Sequence, residues 1–178
     1  MATAYPGRLP ELIVFDLDFT LWDCGGTWCD CLSPPFRSKG PRVTDRTGRH
    51  IRLYDDVNAI LEVCKTEKIA LALASRTEQP PWARQLVRML EIDHYFTLAE
   101  IYPSSKLKHF QALQSASGVD FCDMLFFDDE MRNIREVSTL NVTCVHVADG
   151  MTRALFDDSL VRHAGRSADG DGAVQCNA

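Results

Sequence analysis

No apolar run in the chain approaches the roughly 20 residues that a membrane-spanning helix requires. The first ten residues carry no long apolar segment of the kind that precedes signal cleavage, so a cytoplasmic protein with no membrane partner is expected. A cationic excess is missing as well: 19 Lys and Arg stand against 25 Asp and Glu, a formal net charge of -6. Nucleic-acid binders carry a basic footprint, so general nucleic-acid binding is excluded. Paired cysteines are also lacking. The seven cysteines (Cys24, Cys29, Cys31, Cys64, Cys122, Cys144, Cys176) are odd in number, form no C-x-x-C pair and have no close histidine. That pattern fits reduced thiols rather than a disulfide framework, and it makes Cys24, Cys29 and Cys31 loop packing rather than a zinc site. His50, His94, His109 and His146 show no ligand spacing and read as structural. No internal repeat or coiled-coil pattern is present, so a monomer is expected.

What is present is one domain of ordinary size, 178 residues with 46% hydrophobic and 25% charged content. Short apolar runs recur at Leu12-Ile13-Val14-Phe15, Ile69 to Ala74, Met124 to Phe127 and Val142 to Val147, with a weaker one near Tyr95 to Ile101. Runs of this length, bounded by polar residues, are strands buried on both faces of a parallel sheet. Amphipathic helices are expected between them at Tyr54 to Lys65, from Pro80-Pro81, and at about Ser105 to Ala116, with two more around Met131 to Val137 and Leu155 to Leu160. The alternation predicts an α/β fold, a three-layer, doubly wound, Rossmann-like parallel sheet. Residues 1–162 form its single domain. Within it, residues 19–53 are rich in Gly, Pro, Cys and charge and read as a loop or small hairpin insertion after the first strand, too small for a large cap. Residues 163–178, rich in Gly, Ser, Ala and Asp, read as a disordered tail.

The strand ends carry the chemistry, because ligands of open α/β sheets bind beyond the carboxyl ends of the strands. Those ends are Asp16 and Asp18, then Ser75 and Arg76, then Asp128 and Asp129, with Lys106 opening a helix between them. Two like charges 4 Å apart repel by about 4 kcal/mol at an effective dielectric near 20, so clustered aspartates need a counter-ion. Carboxylates without His or Cys select a hard, oxygen-preferring ion, and Mg2+ fits. Ser75, Arg76 and Lys106 then suit the oxygens of a phosphoryl group, which makes the edge a phosphoryl-transfer centre.

The string Asp16-Leu17-Asp18-Phe19-Thr20 is the D-x-D-x-T signature of the haloacid dehalogenase (HAD) superfamily, and the chain resembles its magnesium-dependent phosphatase 1 family. The shared blocks are Phe15 to Trp22, Ala74-Ser75-Arg76-Thr77, Glu100 to Pro103 with Ser105-Lys106 and His109-Phe110, and Phe126 to Glu130 with Arg132-Asn133-Ile134. The resemblance spans about residues 9–160 and departs from the family over Asp23 to Pro35.

The resemblance implies a Mg2+-dependent phosphomonoester hydrolase that acts through an aspartyl-phosphate. Asp16 is then the nucleophile and Asp18 the general acid and base. Asp16, the Asp18 carbonyl and Asp128 hold the metal, while Asp129 holds its outer shell or the lysine. Ser75, Arg76, Lys106 and the Leu17 amide bind phosphate, and Asn133 orients the acidic loop. Aryl phosphates such as phosphotyrosine, or phosphorylated sugars, are the implied substrates, carried by a small molecule or a phosphoprotein. Trp28 reads either as a leaving-group platform or as loop packing, and Thr20 as a hydroxyl that shapes its turn by bonding local backbone. The competing readings are a receiver-type domain phosphorylated on Asp without turnover, and a phosphate-binding module. Retention of both Asp16 and Asp18 speaks against the latter.

Overall fold

The computed structural model describes residues 7–39 and 42–170. Its five-stranded parallel sheet consists of β1 (Leu12–Phe15), β6 (Ala70–Ser75), β7 (Leu98–Ile101), β8 (Met124–Asp128) and β9 (Thr143–His146), in the order β7-β6-β1-β8-β9. The central strand β1 lies between β6 and β8, with Phe15 opposite Leu73 on one side and Phe127 on the other. Side chains alternate along it. Ile13 and Phe15 enter one buried cluster while Leu12 and Val14 enter a second, so both faces of the strand are dry. This is why the strand reads as a continuous apolar run.

Helices cover both faces. α1 (Val57–Thr66), α2 (Pro80–Met89) and α5 (Arg153–Gly170) place Leu61, Leu86 and Phe156 in the cluster containing Phe15. α3 (Lys106–Ser117) and α4 (Met131–Ser138) place Phe110, Leu113 and Val137 in the other. Among the described residues, no helix is long and apolar enough to cross a membrane. The α/β doubly wound expectation is the architecture found, with no large cap.

Two boundaries differ from the sequence reading. The insertion after β1 is not merely a loop with a hairpin. It forms a second sheet of four antiparallel strands, β2 (Trp22–Asp23), β3 (Arg37–Lys39), β4 (Arg42–Thr44) and β5 (His50–Leu53), in the order β2-β5-β4-β3. These strands are two to four residues long, too short to show a two-residue period. The last helix also runs past the expected end of the domain at residue 162. His163 and Ala164 are buried, and Ala164 Cβ lies 2.7 Å from where a Cβ on Gly7 would stand. The remainder of the expected tail, 171–178, lies outside the described residues.

Candidate active site

Strand register brings the polar ends together. Phe15 is level with Leu73 and Phe127, so Asp16 emerges beside Ala74 and Asp128, and the Asp16 amide donates to the Phe127 carbonyl at 3.0 Å. Chain direction changes at once. The Leu17 carbonyl accepts the amides of Thr20, Leu21 and Trp22, and Phe19 takes a positive φ of 54°. This main-chain turn lets Asp16 and Asp18 both reach one cleft, which two residues of regular strand also permit only on a shared face. The Thr20 hydroxyl contributes nothing to it: Thr20 is buried and its Oγ1 has no hydrogen-bond partner among the described residues. Backbone bonds, not the threonine side chain, shape the turn.

Lys106 is the hub beneath the cleft. It follows the cap of α3, where Ser105 Oγ accepts the Lys108 amide, and its side chain is fully buried. Its Nζ lies 2.6 Å from Asp16 Oδ1 and 3.0 Å from Asp128 Oδ2, and it donates to the Ala74 carbonyl. Burial works against the lysine charge, and the two carboxylates more than reverse that, so its pKa lies above the usual range. Burial pushes Asp16 well above the ordinary carboxylate range; Lys106 opposes this and Asp128 adds to it. One cation shared by two buried acids is an incomplete neutralisation. Asp129 does not touch the lysine. It stands at the cleft edge, where burial and the neighbouring Asp128 and Glu130 raise its pKa to about 7.

Asn133 ties the acidic loop. Its Nδ2 donates to both oxygens of Asp128 at 3.0 Å and to Glu130 Oε2 at 3.1 Å, while its Oδ1 accepts from Arg76 Nη1 at 3.0 Å. Arg76 is thereby aimed across the cleft from β6 to α4. Ser75 is buried beside it and lines the same cleft. The cleft measures about 250 Å³ and is lined by Asp16, Asp18, Trp28, Ser75, Arg76 and Asp129, among others.

The flap, residues 19–53, supplies the other wall. Asp18 Oδ1 accepts three donors from it: Trp22 Nε1 at 2.7 Å, the Cys29 amide at 2.9 Å and Cys24 Sγ at 3.6 Å. Burial raises the Asp18 pKa and these hydrogen bonds partly offset the rise. Asp30 ties the flap to the sheet, since Thr77 Oγ1 donates to its Oδ1 and the Glu78 amide to its Oδ2 at 3.2 Å. Trp28 between them is 53% exposed, edge-on to Phe19 with ring centroids 5.9 Å apart. Trp22, Cys24, Cys29 and Asp30 were not assigned to the site from the sequence. Trp22 lies inside the block Phe15 to Trp22, the one signal available; the cysteines read as loop packing and not as hydrogen-bond donors to Asp18. Burial pushes both Cys24 and Cys29 far above the usual thiol range, so both stay neutral, Cys24 donating through its thiol and Cys29 through its amide. The histidines are structural where the structure shows bonds: His109 Nε2 meets the Tyr102 carbonyl at 3.0 Å and His146 Nε2 the Asp129 carbonyl at 2.8 Å.

The sequence profile of the acid phosphatase family matches residues 8–166. A human magnesium-dependent phosphatase 1 is 46% identical over 155 residues, covering 86% of each chain. A HAD-like hydrolase superfamily protein of Schizosaccharomyces pombe is 37% identical over 149 residues, 76% of this chain and 84% of that one. The chain belongs to the acid phosphatase family of the HAD superfamily. A solved HAD family enzyme of Bacteroides thetaiotaomicron, a magnesium complex, matches in fold with a TM-score of 0.59 at 13% identity, over 83% of this chain and 98% of that one.

The donor set of this family member suits a hard cation. Among the described residues, the second carboxylate oxygen of Asp16 and the carbonyl of Asp18 accept no hydrogen bond. No three His, Cys, Asp or Glu side chains gather as ligands among the described residues. Two carboxylates, one carbonyl and water suit Mg2+, which keeps several waters, and not a closed all-protein cage. The Leu17 amide is likewise without a protein acceptor among the described residues, so it is available to an anion.

Proposed function

We propose that the protein is a Mg2+-dependent phosphomonoester hydrolase that works through an aspartyl-phosphate on Asp16. The observation that carries this reading is the buried triad of Asp16, Lys106 and Asp128 opening onto a cleft walled by a separately held acid, Asp18. Asp16, Asp128 and the Asp18 carbonyl would hold Mg2+, which when bound neutralises charge on the phosphoryl oxygens.

The chain's own groups divide the remaining work. Ser75, Arg76 and the Leu17 amide receive phosphoryl oxygens, and Lys106 fixes Asp16 from below. An Asp16 oxygen attacks phosphorus, the bond from phosphorus to the leaving oxygen breaks, and that oxygen takes the Asp18 proton. Water then attacks phosphorus and gives its proton to Asp18, the bond to Asp16 breaks, and phosphate leaves. The raised pKa of Asp18 suits a group that must start protonated. Asp129 and Asn133 steady the acidic loop.

Trp28 supports substrates with a flat leaving group, an aryl phosphate such as phosphotyrosine or the face of a phosphorylated sugar. The test is phosphate release from a panel of both classes, with and without EDTA, alongside Asp16→Asn. Metal-dependent release, and a labelled intermediate on Asp16 that Asp16→Asn abolishes with a rate loss of at least about 10⁴, is expected. Turnover retained in Asp16→Asn would refute the covalent route. Stable labelling of Asp16 without phosphate release would instead favour a receiver-type domain.

A further inference from the structure

The flap is the most basic part of an acidic chain. Residues 37–52 hold Arg37, Lys39, Arg42, Arg46, Arg49 and Arg52 against one acid, Asp45. Asp45 is buried, and its carboxylate is occupied by the amides of Ser33, Thr47 and Arg49. All six cations are exposed. Register explains how four of them, Arg37, Lys39, Arg42 and Arg52, share the outer side, while Arg46 and Arg49 lie in the connection between β4 and β5. Ser38, Val43 and Ile51 are level across β3, β4 and β5, with Val43 and Ile51 in the core. The alternate positions turn outward, which sets Lys39 directly opposite Arg42 and Arg37 opposite Thr44.

Like charges directly opposite on a sheet are destabilising. Among the described residues, of these cations only Arg52 has a carboxylate partner, Asp23 at 3.7 Å. Charge on an edge strand can guard it against aggregation, which would account for Arg37 and Lys39 on β3. It does not account for Arg42, because β4 is an interior strand. One of these cations also braces the flap segment that holds Asp18. Arg49 Nη1 donates to the Gly25 carbonyl at 3.4 Å, inside the turn whose ends, Cys24 and Cys29, both bond Asp18.

We propose that the outer face of the flap is a docking surface for an acidic polypeptide segment adjoining the phosphorylated residue of a protein substrate. This rests on the hydrolase reading above and narrows its substrate class. An extended peptide fits better than other polyanions for two reasons. Among the described residues β3 is the last strand of its sheet, the position at which an extended peptide can add a strand. The cleft rim is acidic on balance, with Asp16, Asp18, Asp30, Asp129 and Glu130 lining it against Arg76 and Arg132. A nucleic acid or an anionic lipid surface would press many phosphates on that rim, whereas a peptide can lay its acids on the flap and send only its phosphate into the cleft.

The test uses Arg37→Gln/Lys39→Gln/Arg42→Gln and Arg37→Glu/Lys39→Glu/Arg42→Glu, none of which touches the catalytic groups. The Glu variant keeps the edge charged, so it separates docking from edge protection. Substrates are p-nitrophenyl phosphate, a phosphotyrosyl peptide rich in Asp and Glu, and its Asn/Gln counterpart. Wild type should favour the acidic peptide by about tenfold in kcat/KM, from several exposed pairs of modest strength. The Gln variant should lose that preference and the Glu variant invert it, with p-nitrophenyl phosphate unchanged throughout. Equal kcat/KM for the two peptides in wild type, or a preference that survives the Glu variant, overturns the proposal. So does a parallel loss on p-nitrophenyl phosphate, which would mean general steering, or capture by phosphatidylserine vesicles or RNA without peptide binding. Should no ester be hydrolysed, the hydrolase reading fails by itself. Fluorescence anisotropy of a labelled, unphosphorylated acidic peptide then still decides the docking surface: salt-sensitive binding lost in the Glu variant supports it, and no binding refutes it.

Discussion

The strand ends of the parallel sheet hold their groups by burial and charge, whereas the flap holds Asp18 by buried hydrogen bonds and carries Trp28 and Asp30 at an open surface. Lys106 and Asp128 are 0% exposed, and each side chain is fixed by at least two polar partners. Trp28 is 53% exposed and Asp30 is exposed on a three-residue turn. The first arrangement suits chemistry that tolerates little displacement, because buried groups keep their geometry and their electrostatics are weakly screened. The second suits recognition of a variable leaving group. Asp18 belongs to both: its backbone continues β1, yet its carboxylate oxygen is held by Trp22, Cys24 and Cys29 of the flap. On the proposed mechanism, the acid that meets the leaving group is thus set by the region proposed to meet the rest of the substrate.

Breaking the comparison at Asp18 should have the largest effect here. Asp18→Asn should slow hydrolysis by about 10²–10⁴ as a lost general acid and base does. Its affinity for Mg2+ should change little, because the carbonyl is the expected ligand. Isothermal titration with Mg2+ beside steady-state kinetics checks both, and an equal loss of metal affinity would contradict the division of roles.

Lys106→Met attacks the sheet side alone. It leaves Asp16 and Asp128 facing each other without their shared cation, and removing one partner of a buried pair costs about 3–5 kcal/mol. Chemical denaturation without metal should show that loss, with Mg2+ restoring part of it by supplying positive charge. Vanadate affinity should fall as well. Unchanged stability would mean that the two acids share a proton once the lysine is gone.

The sheet side was the legible one. Asp16, Ser75, Arg76 and Asp128 each end or follow an apolar run, register brings such ends together, and Lys106 reaches them from the start of α3. The flap was not legible, for a physical reason: its strands are two to four residues long and its bonds run between residues far apart in sequence. Asp30 reaches Thr77 and Glu78 across 47 and 48 positions. Local pattern carries no trace of such a pairing. The sequence leaves Asp129 between the metal's outer shell and the lysine because adjacent acids look equivalent there; among the described residues Lys106 pairs with Asp16 and Asp128 and not with Asp129, as neighbouring positions on a strand point to opposite sides. Helix α5 outran its expected end because Gly, Ser and Asp near its terminus resemble a solvated tail, although His163 is buried against Thr143 Oγ1 at 3.0 Å.

A smaller effect comes from the support beneath Lys106. His109, one turn along α3, is buried against Tyr102, and burial followed by the nearby Lys106 charge lowers its pKa to about 4. The native state therefore binds fewer protons at this site than the unfolded chain between about pH 6.5 and pH 4, where the unfolded imidazole is charged. Its contribution is present above the unfolded value and is lost as pH falls, at up to about 1.4 kcal/mol per pH unit. The stability difference between wild type and His109→Gln, followed by denaturation across that range, should shift against wild type on acidification. A difference independent of pH would place His109 outside the titrating core.

The smallest effect is expected at Trp28, where the flap side of the comparison can be sharpened. Its ring is half in solvent and touches Phe19 only edge-on, so Trp28→Ala should cost little stability, within about 0.5 kcal/mol for an exposed site. A stacked leaving group would lose about 0.5–1.5 kcal/mol of binding, which is a rise of roughly two- to twelvefold in KM. Because the sheet side is untouched, kcat should hold, and a substrate with a small aliphatic leaving group should show no change in either constant. A drop in kcat for every substrate would instead mean that Trp28 helps position the turn from Cys24 to Cys29, and through it the Asp18 carboxylate.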